Sequence, residues 1–331
     1  MIYTILFIAI FQIIITYFIV LISNKKNLLD IPDKRKVHLH PTPYTGGLVI
    51  SITFLFIVYI TDYAQSDYNL IFSYLILAAI AGLIDDIYDV NPGTKLLLQT
   101  IPIFLLIDQN LYLLDLGEYK YFGEIILGSS DKIFTIFCCL FLINSCNYID
   151  GIDGLLSSIT ANIILFLYLF LLIFTETNNE YLLIASVPFI IFFIFNISNT
   201  KLKIFLGDSG SALSGFLLSF LCITSYTTYE LKPSIIIWPL AYLVFEFISV
   251  NIIRLVGSNK IFVAAQDHFH YEIMKKFNLS NNQSLITIFL IQCFLSFFGL
   301  YINLYYDSLV SIIYYVLFFF VFLSFKFYVK N

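Results

Sequence analysis

The sequence predicts an all-α fold, a polytopic membrane protein of about 10–11 transmembrane helices. Three observations predict it. Of the 331 residues, 60% are hydrophobic and 12% are charged, whereas roughly half of a soluble protein is apolar. Apolar stretches of about 20 residues recur along the chain, each long enough to cross about 30 Å of hydrocarbon as a helix. Only short polar segments separate them, so we expect one integral-membrane domain over residues 1–331.

Eleven apolar stretches are the expected spans. Lys25 and Lys26 follow the first, which has neither a basic start nor a small-residue cleavage site, so we interpret it as a span and not a signal peptide. The fourth is the shortest and ends at Asp108, and the segment 108–130 after it is long enough for a hairpin or an interfacial helix. In chain order the spans are 2–23, 46–62, 69–84, 95–107, 131–147, 156–175, 181–197, 211–228, 233–253, 283–303 and 308–327.

The distribution of Lys and Arg predicts the orientation, because cytoplasmic loops of membrane proteins carry an excess of both. If segment 24–45 is cytoplasmic, 14 of the 17 Lys and Arg residues lie on that side, and only Lys120, Lys132 and Lys232 lie outside. The N-terminus is then outside and the C-terminus inside. The expected cytoplasmic loops, numbered one to five, are about 24–45, 85–95, 147–155, 198–210 and 254–282.

Acidic residues cluster where spans meet these loops. Asp85 and Asp86 close the third span, and adjacent carboxylates repel unless a cation or a proton lies between them. A solvated helix end is the alternative. Asn147, Asp150 and Asp153 recur every three residues, which at helical spacing would place them on one face. A loop of turn-forming residues is the alternative there.

The GDSGS stretch at 207–211 is expected to open a helix that Asp208 or Ser209 caps. Free N–H groups at such a start favour phosphate, and the neighbouring carboxylate favours a hard cation, although a simple cap is the alternative. His268 and His270, two residues apart, do not match a zinc motif. They are either interfacial residues or phosphate donors when protonated. Glu246 lies inside a span, where a neighbouring charge can pair with it.

These polar residues share one membrane face. Carboxylates able to hold Mg²⁺, a helix start, Gly residues and basic residues together indicate a site for a diphosphate whose other end is water-soluble. The surrounding spans can hold a lipid. The basic residues of loop one are better explained by positive-inside charge than by chemistry; they are Lys34, Arg35, Lys36, His38 and His40.

Several motifs in order resemble those of the polyprenyl-phosphate N-acetylhexosamine-1-phosphate transferase family, glycosyltransferase family 4. They are KVHLHPTPYTGG, GLIDDIYDV with TKLLLQ, NSCNYIDGIDGL, FLGDSGS and DHFHYEIMKK. The likeness covers about residues 24–276. The GSNKIFVAAQD run of loop five is nearer to the WecA-like group than to the MraY-like group.

The resemblance implies transfer of a sugar 1-phosphate from a UDP-N-acetyl sugar to undecaprenyl phosphate, with release of UMP. This step initiates a cell-surface polysaccharide or O-antigen at the bacterial inner membrane, with the active site facing the cytoplasm. The implied cofactor is Mg²⁺, with Mn²⁺ as a substitute. A homodimer is common in the family, and no nucleic acid partner is expected.

The resemblance also implies roles for individual residues. Asp208 and Asn147 would hold the metal. Asp85 and Asp86 would act near the lipid phosphate, and Asp150 would lie beside the diphosphate. The substrate-binding residues would be Lys95 near the lipid phosphate, Asp153 facing the uracil, and Arg254, His268 and His270 around the sugar and diphosphate.

Three positions depart from the family pattern. Tyr271 replaces the last His of HxHH, which argues against catalysis at that position; Tyr44 follows Pro43 where Arg is usual; and Glu246 replaces Asp. Three alternatives to the main interpretation remain open. They are lipid I synthesis from UDP-MurNAc-pentapeptide, a secondary transporter, and a non-catalytic membrane partner. A two-step reaction through an Asp nucleophile is the alternative to direct attack by the lipid phosphate.

Overall fold

The computed structural model describes residues 2–32, 40–61, 67–257 and 267–330. These residues are mostly helical, with two short antiparallel strand pairs, so the all-α class is confirmed. The helices are α1 (Ile2–Lys26), α2 (Gly46–Ile60), α3 (Asp67–Tyr88), α4 (Pro92–Asp108), α5 (Asp131–Ile149), α6 (Leu155–Phe174), α7 (Glu180–Ile197), α8 (Gly207–Thr227), α9 (Pro233–Ile236), α10 (Ala241–Val256), α11 (Phe269–Phe277), α12 (Asn281–Tyr305) and α13 (Ser308–Lys330). The strands are β1 (Leu29–Asp30), β2 (Thr42–Pro43), β3 (Asp115–Tyr119) and β4 (Gly123–Ile126).

Each expected span contains a helix in the described part of the chain. Eight of these helices are long and apolar enough to cross a membrane, namely α1, α3, α5, α6, α7, α8, α12 and α13. The other three are shorter, with 15 residues in α2, 17 in α4 and 16 in α10. The chain is therefore a multi-pass membrane protein.

The expected ninth span, 233–253, consists of two helices and not one continuous helix. The helix stops after Ile236 and resumes at Ala241, because Pro239 lies between them and proline cannot donate a backbone hydrogen bond. Gln292 of α12 supplies partners at the break: its amide donates to the Pro239 carbonyl and accepts from the Tyr242 N–H. Such side-chain partners are what make a broken helix tolerable inside a membrane protein.

Helix α8 lies at the centre of the bundle. Of the spanning helices it is the most enclosed, with 89% of its most apolar window buried. Gly82 of α3 lies directly against the backbone of Asp208 and Ser209, and Gly47 of α2 lies against Ser209 and Gly210. Any larger side chain at Gly82 or Gly47 would push these helices apart. The start of α8 is therefore packed closely against α2 and α3.

The segment 108–130 forms the hairpin that was one of its two expected structures. Strands β3 and β4 pair antiparallel, with Asp115 opposite Ile126. The Tyr226 hydroxyl, at the far end of α8, donates to the Asp115 carboxylate and accepts from its N–H. The hairpin is thus fixed to the end of α8 opposite Asp208.

Candidate active site

The start of α8 is tied to loop one through the backbone. The Phe205 N–H donates to the Pro43 carbonyl at 2.7 Å, and the Phe205 carbonyl accepts from the Gly46 N–H at 2.9 Å. The chain then turns at Gly207, whose φ of +70° suits glycine. A Cβ there would also meet the Tyr44 carbonyl. This turn brings Asp208 to the first turn of α8.

Asp86 of α3 caps α8. Its two carboxylate oxygens accept from the N–H groups of Asp208 and Ser209 at 3.0 and 3.1 Å. The expectation that Asp208 or Ser209 caps the helix is wrong, because the cap residue Leu206 makes no side-chain bond and a carboxylate from another helix takes its place. Two of the N–H groups expected to be free for phosphate are thus occupied, and the Asp208 carboxylate is left for other partners.

Lys95 joins Asp85 to Asp208. Asn91 caps α4 by accepting from the Thr94 N–H at 3.0 Å, which places Lys95 in the first turn of that helix. The Lys95 ammonium lies 2.6 Å from Asp85 and 3.0 Å from Asp208. The other Asp85 oxygen accepts from the Val90 N–H at 3.1 Å. Lys95 thus joins Asp85 to Asp208, a residue 113 positions away from Lys95 in the chain.

Asn147 of α5 completes this group of side chains. Its amide nitrogen donates to the second oxygen of Asp208 and lies 3.2 Å from the Ser211 hydroxyl. We call Asp85, Lys95, Asn147 and Asp208 the acidic cluster. Its members come from α3, α4, α5 and α8, four elements that meet at one end of the bundle. The sequence predicted that these residues share a face, and the structure links them by contacts that run from Asp85 through Lys95 and Asp208 to Asn147.

The donor set of the acidic cluster fits Mg²⁺. The carboxylates of Asp85 and Asp208 already contact a cation, the Lys95 ammonium, and the Asn147 amide nitrogen donates to the other Asp208 oxygen. Carboxylate and amide oxygens are the kind of ligand that this hard cation takes. Among the described residues no three His, Cys, Asp or Glu side chains form a metal group. Mg²⁺ commonly takes only one or two carboxylates and completes its shell with water and substrate phosphates. The cluster can therefore hold a magnesium–diphosphate pair.

Loop three does not form the single helical face that its spacing predicted. Helix α5 ends at Ile149, and residues 150–154 form a turn that finishes at Gly154 with a φ of +80°. Asn196 of α7 holds this turn: its side chain accepts from the Gly154 N–H at 2.5 Å and donates to the Ile204 carbonyl at 2.8 Å. Tertiary hydrogen bonds to one Asn therefore replace the expected extra turn of helix.

Asp150 follows α5 directly and lies beside the acidic cluster. Burial, reinforced by the negative charges of Asp208, Asp86 and Asp153, raises the pKa of its carboxyl to about 8. An acid in this environment holds its proton near neutral pH, unless a cation enters the cluster and offsets the surrounding negative charge.

Asp153 is paired with a lysine that sequence reasoning did not single out. The Lys203 ammonium lies 2.6 Å from the Asp153 carboxylate, and both side chains are partly exposed, at 21% and 31%. A uracil bound by Asp153 would therefore compete with Lys203. The predicted uracil contact remains a prediction, now with a named competitor.

Arg254 is held by loop five itself. Its guanidinium makes two hydrogen bonds to the Asp267 carboxylate, at 2.8 and 2.7 Å, and lies over the Tyr148 ring at 5.5 Å. Only 4% of the Arg254 side chain is exposed. This bidentate pair keeps the pKa of Asp267 below its usual value, although burial acts in the opposite direction. Contact between Arg254 and a diphosphate stays a prediction.

His270 is buried against loop three. Its imidazole occupies the space that a Cβ on Gly151 would need, and neither ring nitrogen has a hydrogen-bond partner among the described residues. Burial, with the neighbouring His268, lowers the pKa of His270 to about 3, so the ring is neutral at pH 7. If His270 contacts a phosphate, as predicted, it does so as a neutral donor.

Tyr271 and His268 flank this buried ring. The Tyr271 hydroxyl donates to the Gly151 carbonyl at 2.7 Å, so the departure from the family's last His supplies a contact to loop three. The His268 ring is parallel to that of His270, and its Nδ1 lies 3.4 Å from Glu246. Loop five is thus packed against the turn that carries Asp150.

Sequence reasoning missed four residues that hold the site in place. Each pairs with a residue of a loop or span that the sequence singled out, but its own position gave no signal; they are Lys203, Asn196, Asp267 and Lys326. A buried charge inside a span implies a partner. That signal applied to Glu246, but it did not indicate which residue pairs with it.

Comparison with known proteins supports the motif reading. Residues 68–226 match the family model described as glycosyl transferase family 4. The chain resembles this family, as its motifs predicted. The match contains the acidic cluster, Asp86, Asp150 and Asp153, whereas Arg254, His268 and His270 lie beyond it.

Three curated relatives carry one name, undecaprenyl-phosphate alpha-N-acetylglucosaminyl 1-phosphate transferase. The protein from Escherichia coli O157:H7 is 26% identical over 88% of this chain and 81% of its own length. That from Yersinia pestis is 25% identical over 84% and 78%. That from Haemophilus influenzae is 26% identical over 86% and 82%. The similarity extends well beyond the family-model match and reaches most of the chain.

Proposed function

We propose that this protein transfers N-acetylglucosamine 1-phosphate, or a related N-acetylhexosamine 1-phosphate, from its UDP-sugar to undecaprenyl phosphate and releases UMP. The observation that carries the proposal is the acidic cluster, in which four helices bring two carboxylates, an ammonium and an amide into contact at one end of a membrane bundle. The names of the relatives supply the lipid and the sugar.

Mg²⁺ is the proposed cofactor, held by Asp208 and Asn147. When bound to the diphosphate it would neutralise negative charge on the oxygens of both phosphates. We propose that Lys95, whose ammonium contacts both Asp85 and Asp208, binds the phosphate of the lipid. That phosphate has its second pKa near 6, so much of it is already a dianion at pH 7 and needs little help from a base.

The contacts of the two adjacent carboxylates favour direct attack by the lipid phosphate over a covalent aspartyl intermediate. Asp86 uses both oxygens to accept N–H groups of α8, and Asp85 uses its oxygens for Val90 and Lys95. A nucleophile needs a free oxygen directed at the reacting phosphorus. Asp86 therefore acts by fixing the start of α8, and Asp85 acts by fixing Lys95. Asp150 acts by gaining or losing a proton as the charge in the neighbouring acidic cluster changes.

We also propose that this end of the bundle faces the cytoplasm of a bacterial cell, at the inner membrane. The support is the 14 of 17 Lys and Arg residues that fall on this side. A reporter fused after Asn331 would then be cytoplasmic, and one inserted near Tyr63 would be outside. The reverse labelling would place the acidic cluster on the outer side of the membrane, where a cytoplasmic UDP-sugar could not reach it.

The decisive assay mixes purified protein with undecaprenyl phosphate and radiolabelled UDP-GlcNAc, with and without Mg²⁺, and measures label in the organic phase. UDP-GalNAc and UDP-MurNAc-pentapeptide are tested in parallel, because the second would reveal lipid I synthesis. We expect lipid-linked label from UDP-GlcNAc or its close relative only when Mg²⁺ is present. Absence of lipid product from every donor would refute the proposal.

A further inference from the structure

The last helix, α13, carries a buried charge near its end. Lys326 is fully buried, as is Glu246 of α10, and the Lys326 ammonium lies 2.7 Å from one Glu246 oxygen. Burying two charges is costly unless they are paired and further hydrogen-bonded. The expected last span thus ends in a fixed contact with α10, the helix that leads into loop five.

Glu246 satisfies its second oxygen in loop five. That oxygen accepts from the Phe269 N–H at 2.9 Å and lies 3.4 Å from the His268 Nδ1. Phe269 is the first residue of α11, whose cap residue His268 makes no side-chain cap bond of its own. Glu246 therefore replaces the missing cap and at the same time faces the imidazole that precedes it.

Lys326 is paired selectively. Glu272 is the other buried acid of this region, and one of its oxygens has no hydrogen-bond partner among the described residues. The contact at 2.7 Å is to Glu246. Lys326 is consequently linked through one carboxylate to the start of α11 and to His268, while its own side chain is fully buried.

We propose that Lys326 is a positioning residue, which holds Glu246 in the geometry that fixes His268 and the start of α11. Its importance for turnover rests on the proposed transferase function, whereas its effect on His268 does not. Three helices, α10, α11 and α13, meet at this one carboxylate. The C-terminal helix would thereby belong to the working parts of the site although it lies outside the residues matched by the family model.

The test uses the full chain with labelled histidine, because the protein has only four His and gives at most four sets of imidazole signals. His268→Gln assigns the signal of interest. Lys326→Met leaves a buried unpaired carboxylate and is expected to fold poorly, so the main variant is Lys326→Met with Glu246→Gln, which removes both charges at similar size. Lys330→Met, on the same helix but exposed, is the matched control.

We expect the double variant to shift the His268 signals and to lower kcat/KM for the transfer by roughly 10- to 100-fold, as small misplacements do. Lys326→Arg should keep most of the rate, and Lys330→Met should change neither readout. Unshifted His268 signals in the folded double variant would overturn the proposal. If the wild type transfers no sugar phosphate, the proposed function fails, and the imidazole signals still decide the positioning role.

Discussion

The acidic cluster and loop five bring ionisable residues together in two different ways. In the acidic cluster, Asp208 and Lys95 remain 29% and 21% exposed. At loop five, His270 is fully buried, and so is Glu246 of α10, which contacts the start of α11. Groups that exchange their partners for a substrate or a cation need access to solvent, whereas buried groups keep the partner they have. On this difference we base the proposal that the acidic cluster carries the chemistry and that much of loop five supports its geometry.

Charge balance separates the two regions further. Near loop five, two ion pairs each join one cation to one carboxylate, Arg254 to Asp267 and Lys326 to Glu246. The acidic cluster and its neighbours hold more carboxylates than cations, namely Asp85, Asp86, Asp150 and Asp208 against Lys95. An excess of negative charge in a partly buried site favours a cation from solution.

The largest expected effect is that of Asp208→Asn. The substitution keeps the shape and removes the charge, and Asp86 still caps α8, so the protein should fold normally. We expect transfer to fall by at least about 100-fold, with little rescue by excess Mg²⁺ or Mn²⁺, because a carboxylate ligand is lost.

Asp89→Asn is the matched control for Asp208→Asn. Asp89 is exposed, directly follows the end of α3 that carries Asp85 and Asp86, and has a φ of +46°, which Asn adopts readily. Its rate should stay near that of the wild type. A normal rate and unchanged Mg²⁺ dependence in folded Asp208→Asn would end the metal assignment.

Gly151→Ala tests whether loop five must pack against loop three. A Cβ at this position would collide with the His270 ring and meet the Tyr271 hydroxyl. We expect Asp150 to be displaced and turnover to fall by roughly 10- to 100-fold. Gly93→Ala, where a Cβ meets only Asn91 at 3.3 Å, should leave the rate unchanged.

Tyr271→Phe is the milder version of this test. It removes one hydrogen bond to Gly151, worth about 0.5–1.5 kcal/mol, so a loss of only a few-fold is expected. If Gly151→Ala is fully active, the contact between the two loops is dispensable, and the proposal that loop five supports the geometry of the acidic cluster is wrong.

Asp153→Ala should raise KM for the UDP-sugar and weaken inhibition by UMP by about 10-fold, the lower end of a charge-assisted hydrogen bond. KM for the lipid should change little. Lys203→Met separates this role from a structural ion pair, because it frees Asp153 and should leave UMP inhibition intact or stronger. Equal losses in both variants would show that the pair serves only the fold.

The smallest expected effect concerns pH and stability. The folded pKa of Asp150 is raised to about 8, above its unfolded value near 4. The folded protein therefore binds this proton more tightly than the unfolded chain does. The resulting contribution to the free energy of unfolding is fully present below about pH 4 and is lost as the pH rises to about 8. The slope is at most about 1.4 kcal/mol per pH unit. Asp150→Asn should flatten the dependence of the thermal midpoint on pH between 5 and 8, and parallel curves would contradict the assignment.

Much of this site could be predicted from local patterns. The polar residues at the ends of apolar spans identified Asp85, Asn147 and Asp208 as neighbours, because alternating spans return every second loop to the same side. The capping of α8 by Asp86, and the turn held by Asn196, could not be predicted. Both depend on which helices are adjacent in space, which a single sequence does not encode in any local signal.

The sequence by itself determined the all-α class, the approximate positions of the apolar helices, and the prediction that ionisable residues collect at one end of the bundle. Those properties follow from the hydrophobic length needed to cross a bilayer and from where charge can remain hydrated. Only the tertiary structure decided the partners. It places Lys95 between two carboxylates, pairs Asp153 with Lys203, and connects the last helix to loop five through Glu246. The physical reason is that a charge needs a partner within a few ångströms, and only the packing of helices distant in sequence sets such distances.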